Sequence, residues 1–220
     1  MKSCRITTII FDAGGVLLYI RRRRNEIARN LLLSMGYEEE RIEKALSIGE
    51  AFDEEYFMKH PWMYNWKDER QWLEDHYNAI AEAVDPESDY LGDKLFMLTF
   101  DTNEYKLFPE TIEVLEVLKK DYSLGVISNA LPSLDWSFDA LGIRKYFKNI
   151  VISAYEGVEK PNKDIFIKGV ERLDCNFEEC IFIDDKLENV QAAEDLGMKG
   201  FYLDRKKDDL KALFDLLSDI

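Results

Sequence analysis

The chain has 220 residues, with 29 lysines and arginines against 44 aspartates and glutamates, for a formal net charge of −15. At 46% hydrophobic it is too apolar for a disordered polyanion, and its length suits one domain or one domain with an insertion. The acidity argues against a nucleic acid or an anionic membrane surface as partner, since both need a concentrated basic face, and no apolar run approaches the roughly 18 residues that span a bilayer.

From the N-terminus, the first β-rich run is Ile6–Phe11, followed by Asp12, Ala13, Gly14 and Gly15. The run is too short for a secretory signal and no small-residue cleavage site follows it, which predicts a cytoplasmic protein. Residues 18–100 show no convincing strand. Helical patterns cover Asn25–Met35, stopped by Gly36, then Glu38–Phe57, Lys67–Val84 and Ser88–Phe100. Two features stand out there. Arg21–Arg24 is a dense basic run, readable as a solvated helix start or as a contact for an anionic substrate. Tyr56–Trp66 packs five aromatic residues into eleven, readable as local core, pocket lining or subunit contact.

From residue 105 onward the pattern alternates. A helix follows Pro109 with Ile112, Leu115 and Leu118 on one face. Strands are predicted at Leu124–Ser128, Ile150–Ser153, Cys180–Ile183 and Gly200–Leu203. Helices lie between them, one carrying Ile165, Phe166, Gly169, Val170 and Leu173, another running over Leu187–Leu196 to a stop at Gly197. A last stripe has Leu210, Leu213, Phe214 and Leu217. Continuous apolar strands are those covered on both faces, and strand–helix alternation implies a parallel sheet. The predicted fold is therefore α/β, a Rossmann-like doubly wound parallel sheet built from residues 1–17 and 101–220, with residues 18–100 inserted as an α-helical cap. The three cysteines, Cys4, Cys175 and Cys180, form no CxxC pair and read as reduced thiols. Two histidines, His60 and His76, are too few for a zinc site built on imidazole.

Ligands of open α/β sheets bind beyond the carboxyl ends of the strands. Four strand ends carry polar residues: Asp12 after the first, Ser128–Asn129 after the second, Lys160 in the loop after the third, and Asp184–Asp185 after the fourth, with Asn189 just beyond. Singly, each has an ordinary reading as a turn residue, helix cap or solvated lysine. Together they are the parts of a phosphoryl-transfer site. They supply a carboxylate nucleophile, acids to hold a hard cation through oxygen, and a hydroxyl and ammonium for phosphate oxygens.

The segments IIFDAGGVL at 9–17, GVISN at 125–129, GVEKPNKDIF at 157–166 and CIFIDDKLENVQAAEDLGM at 180–198 resemble the motifs of the haloacid dehalogenase-like (HAD) hydrolase superfamily, in that family's order. The helical insertion resembles the family's first type of α-helical cap. The resemblance implies an Mg²⁺-dependent phosphatase in which Asp12 is the nucleophile. Ser128, Asn129 and Lys160 would bind the phosphoryl group. Asp12, the Gly14 carbonyl, Asp185 and Asp184 would hold Mg²⁺, and Asn189 would brace that loop. The implied substrate is a small phosphorylated metabolite, and the implied state a monomer or homodimer.

One departure matters. The family's phosphatases usually carry a second aspartate two residues after the nucleophile, as proton donor to the leaving group; here that position is Gly14. General acid–base catalysis is worth roughly 10²–10⁴-fold, so the chain is expected to be slow or suited to good leaving groups, unless His60 or Tyr56 donates the proton. Two alternatives stay open: a 2-haloacid dehalogenase-type hydrolase, disfavoured by the Asp184–Asp185 pair, and a weakened phosphate-binding or regulatory module. A receiver domain is disfavoured because its acid pair would follow the first strand.

Overall fold

The structure is a computed structural model describing residues 5–101 and 105–218. The chain forms two compact units, Met1–Tyr19 with Tyr105–Ile220, and Ile20–Glu104. The larger unit holds the parallel sheet. Its strands are β1 (Thr8–Phe11), β4 (Ser123–Ser128), β5 (Asn149–Ile152), β6 (Cys180–Asp184) and β7 (Lys199–Tyr202), in the order β5-β4-β1-β6-β7. All neighbouring pairs are parallel. The chain runs from β1 outward to β5, then returns to the other side of β1 for β6. This reversal of strand order beside β1 makes the topological switch point where such sheets bind ligands.

The central strands β1, β4 and β6 are buried on both faces, as their unbroken apolar sequences require, while the edge strands β5 and β7 are only partly covered. Ile9, Phe11, Leu124, Val126, Ile181 and Ile183 enter one core with helices α5 (Thr111–Leu118) and α6 (Leu134–Ala140). The alternate residues Ile10, Ile127, Cys180 and Phe182 enter a second core with α8 (Lys163–Leu173). Helix α8 presents its whole predicted stripe, Ile165, Phe166, Gly169, Val170 and Leu173, to the sheet. Close approach is possible because two glycines face it or face the strand. A Cβ on Gly125 would stand 2.5 Å from a Leu173 methyl, and one on Gly169 would stand 2.4 Å from Ile127 Cδ1. Helix α9 (Leu187–Glu194) ends where Gly197, at φ +99°, lets the Met198 N–H reach back to Ala193 O at 3.1 Å.

Three expectations are corrected. A short ribbon, β2 (Leu18–Ile20) paired with β3 (Tyr105–Leu107), stands where no strand was expected. Its partners lie more than eighty residues apart, and Tyr19 and Ile20 are exposed, so it carries no apolar alternation to read. The last stripe splits into a 3₁₀ turn at Leu210–Ala212 and α10 (Leu213–Ser218), because the Asp209 carboxylate accepts from Lys211 N and tightens the first turn. The third strand, expected to run to Ser153, stops at Ile152, because Ser153 opens the short α7 (Ser153–Glu156), which ends at Gly157 in the left-handed region.

The second unit is helical: α1 (Arg24–Ser34), α2 (Glu39–Lys59), α3 (Trp66–Val84) and α4 (Leu91–Asp101). Asn65 caps α3 through its side-chain carbonyl, which accepts from Lys67 N and Asp68 N. Trp72, Leu73, His76, Tyr77, Ile80 and Ala81 form the buried stripe of α3. Asp53 on α2 accepts from Trp72 Nε1 at 2.8 Å and lies 2.9 Å from His76 Nδ1. Within the basic run, Arg24 stacks over the Trp72 ring at 5.5 Å and pairs with buried Glu69, while Arg21 and Arg23 are exposed. The aromatic segment divides likewise. Phe57 packs on Trp72 and Met63 is buried, but Met58, His60 and Tyr64 face outward. Among the described residues no helix is long and apolar enough to cross a membrane.

Candidate active site

The carboxyl ends of β1, β4 and β6 lie side by side, and the polar residues follow from that register. Phe11 pairs with Val126 and with Ile183, so Asp12, Ser128 and Asp184 emerge at one edge. Asp12 N donates to Ile183 O at 2.8 Å, extending the ladder and fixing the carboxylate at the strand exit. Lys160 arrives from the loop after α7. Its ammonium is 2.8 Å from Asp12 Oδ1 and 2.7 Å from Asp184 Oδ2, with the side chain 1% exposed. Asn129 holds the Lys160 main chain from both directions: its Nδ2 donates to Lys160 O and its Oδ1 accepts from Lys160 N, each at 2.8 Å. One amide hydrogen of Asn129 remains for a further acceptor. Ser128 is buried at the end of β4.

The two adjacent acids are in different situations. Asp184 is fully buried, and both its oxygens are engaged. Oδ1 accepts from Lys186 N, and Oδ2 accepts from Lys160 Nζ and from Asn189 Nδ2 at 3.0 Å. Asp185 is only part-buried. Carboxylate oxygens of Asp12, Asp184 and Asp185 lie within 4.8 Å of one another. Burial holds the Asp12 carboxyl above the ordinary aspartate value; Lys160 opposes that shift and the Asp184 charge adds to it. Asp185 is raised for the same first reason, with the charges of Asp12 and Asp184 adding.

Three convergent carboxylates against one ammonium leave an anionic edge that a cation would relieve. Hard oxygen donors suit Mg²⁺ rather than a soft metal. Asn189 Oδ1 is buried without a hydrogen-bond partner, and a water or ligand in this site would satisfy it. The residues present therefore fit a divalent metal.

The structure brings Asp12, Asp184, Asp185 and Lys160 together, with Asn129 bonded to Lys160 and Asn189 to Asp184, while Tyr56, His60 and Arg21–Arg24 belong to the helical unit. What the sequence did not disclose is the fastening of the loop after Asp12. Arg205, beyond β7, donates from Nε to Gly15 O at 2.9 Å and from Nη2 to Val16 O, and pairs with Glu110. These partners are 95 and more positions away, and nothing local marks them. Gly15 itself takes φ +77°, and a Cβ there would fall 2.1 Å from Asp185 Oδ2, so only glycine fits. At Gly14 an added Cβ meets nothing within 4 Å.

A doubly wound parallel sheet thus gathers acids, a lysine and a serine at its switch point, where sheets of this class bind ligands. The profile for haloacid dehalogenase-like hydrolases matches residues 6–197, and the chain belongs to that family. It is 35% identical over 129 residues to a glyceraldehyde 3-phosphate phosphatase of Methanothermobacter thermautotrophicus, covering 56% of this chain and 57% of that protein. The chain thus spans little more than half the length of that relative. To the protein of the same name from Methanopyrus kandleri it is 29% identical over 202 residues, covering 88% of this chain and 82% of the other. Among solved structures, a 2-haloacid dehalogenase from Pseudomonas syringae pv. Tomato superposes with a TM-score of 0.67 at 20% identity, over 97% of this chain and 99% of that one. At that identity the likeness speaks for the fold alone.

Proposed function

We propose that the chain is an Mg²⁺-dependent hydrolase of a small-molecule phosphomonoester, acting through an aspartyl-phosphate on Asp12. The observation that carries the reading is the three-carboxylate cluster spanned by a buried lysine. In this reading residues 1–17 and 101–220 are the catalytic core and residues 18–100 the cap. Asp12 Oδ attacks phosphorus and the ester oxygen departs with the bonding pair. Lys160 Nζ, held between Asp12 and Asp184, offsets charge on the phosphoryl oxygens. Ser128 and the free amide hydrogen of Asn129 take the remaining oxygens. Asp12, the Gly14 carbonyl and Asp185 would hold the metal, Asp184 keeping Lys160 in place beside them. The metal would supply the positive charge that lets an anionic substrate approach an anionic edge. Water then attacks the aspartyl-phosphate and frees inorganic phosphate.

The names of the two relatives support a small phosphorylated metabolite as substrate. A dehalogenase reading, which needs no metal, would leave the Asp185 carboxylate without a task. Because Gly14 offers no side-chain proton, activated esters should turn over well and alkyl esters slowly.

The test is turnover of an aryl phosphate with Mg²⁺, with chelator, and by an Asp12→Asn variant. Activity only in the first is expected. Activity that survives the chelator or Asp12→Asn would refute the reading, and no turnover of any phosphate ester would favour a phosphate-binding module.

A further inference from the structure

We propose that Arg205 is a positioning residue that sets the geometry of the metal-binding carboxylates by clamping the loop after Asp12; this rests on the metal site proposed above. After Ala13 the loop carries two adjacent glycines, which lose more backbone freedom on ordering than any other pair. It must nevertheless hold Gly15 against Asp185, where a single extra carbon would collide with the carboxylate at 2.1 Å. A drift of a few tenths of an ångström in Gly15 is therefore a drift in the space left to Asp185.

The loop's own hydrogen bonds close only its near side. Leu17 N and Leu18 N donate to Ala13 O, and Gly15 N donates to Leu18 O. The outward carbonyls of Gly15 and Val16 are taken by one guanidinium. That group is fixed on its other sides. It stacks on the Phe108 ring with its carbon 3.6 Å from the ring centre, and it pairs with the Glu110 carboxylate. Glu110 also accepts from Leu210 N at 3.2 Å, which ties the guanidinium to the segment beyond it. Phe108 N donates to Leu17 O, so the stacking ring and the clamped loop share one anchor. A planar fork whose donors sit on three separate nitrogens suits two successive carbonyls and a carboxylate, whereas a lysine would have to serve all three from one nitrogen and could not stack on Phe108.

The test is direct calorimetric titration of the full chain with Mg²⁺, without substrate, on the unaltered protein, Arg205→Lys, Arg205→Ala and Glu110→Gln. Outer partners of metal ligands are typically worth roughly 10–100-fold in affinity. We expect Arg205→Ala to bind Mg²⁺ at least about tenfold more weakly, Arg205→Lys and Glu110→Gln to fall between it and the unaltered protein, and methylguanidinium to restore part of the loss in Arg205→Ala alone. Should Arg205→Ala fail to fold, the two milder variants decide by the same reading. A lowered melting temperature with unchanged Mg²⁺ affinity would make Arg205 merely structural and overturn the proposal. If the unaltered chain binds no Mg²⁺, the metal site falls and this proposal with it; if it binds and the variants match it, this proposal alone falls.

Discussion

Two glycines stand two and three residues after Asp12, and their surroundings give them opposite meanings. Gly15 is confined by its positive φ and by Asp185. Gly14 has open space where a side chain would go, at the position where the family's phosphatases usually carry an acid. The first carbon of a restored side chain therefore meets no neighbour. Gly14→Asp is expected to raise turnover of alkyl phosphates by about 10²-fold or more while changing aryl phosphates with acidic leaving groups little. A plot of rate against leaving-group pKa for both proteins checks this, and an equal change across the series would contradict it. At this scale much was legible: Asp12, Ser128 and Asp184 each mark the end of an apolar run, where sheet topology directs side chains to one edge, and Lys160 stands in the loop beyond the third strand. Arg205 and Glu110 were not. They are ordinary charges in polar stretches, and only the return of the chain after β7 brings them to the loop.

Elements differ in how far local pattern determines them. The central strands β1, β4 and β6 read clearly because both faces are buried, which forces unbroken apolar sequence. The β2–β3 ribbon did not, since its pairing depends on closure across the whole helical insertion rather than on its own residues. Packing between elements is likewise concealed until the glycines are placed. Gly125 on β4 meets buried Leu173 of α8, with three side-chain atoms inside 3.2 Å of an added Cβ. Gly125→Ala should cost about 1–3 kcal/mol through overpacking. Gly14→Ala, with nothing nearby and an unstrained φ, should be neutral or stabilise by about 0.4–1 kcal/mol by restricting the unfolded chain. Urea unfolding midpoints of the two variants measure the contrast, and equal midpoints would refute the close α8–β4 contact.

For the whole molecule, the net charge of −15 takes on local meaning. Spread over the surface it favours solubility; concentrated as three carboxylates at the switch point it repels the proposed substrate until a cation arrives. Burial raises the Asp12 and Asp185 carboxyls, and the neighbouring carboxylate charges add to it. The missing side chain at Gly14 also bears on the second half of the reaction, because the acid that protonates a leaving group ordinarily serves to activate water afterwards. An aspartyl-phosphate in this chain should therefore be long-lived. The most direct measurement is an acid quench during turnover of an aryl phosphate with Mg²⁺, followed by peptide mass analysis. One phosphoryl group on the peptide bearing Asp12, absent with chelator and in Asp12→Asn, is expected. Steady turnover with no phosphorylated Asp12, or a phosphoryl group on another residue, would contradict the account.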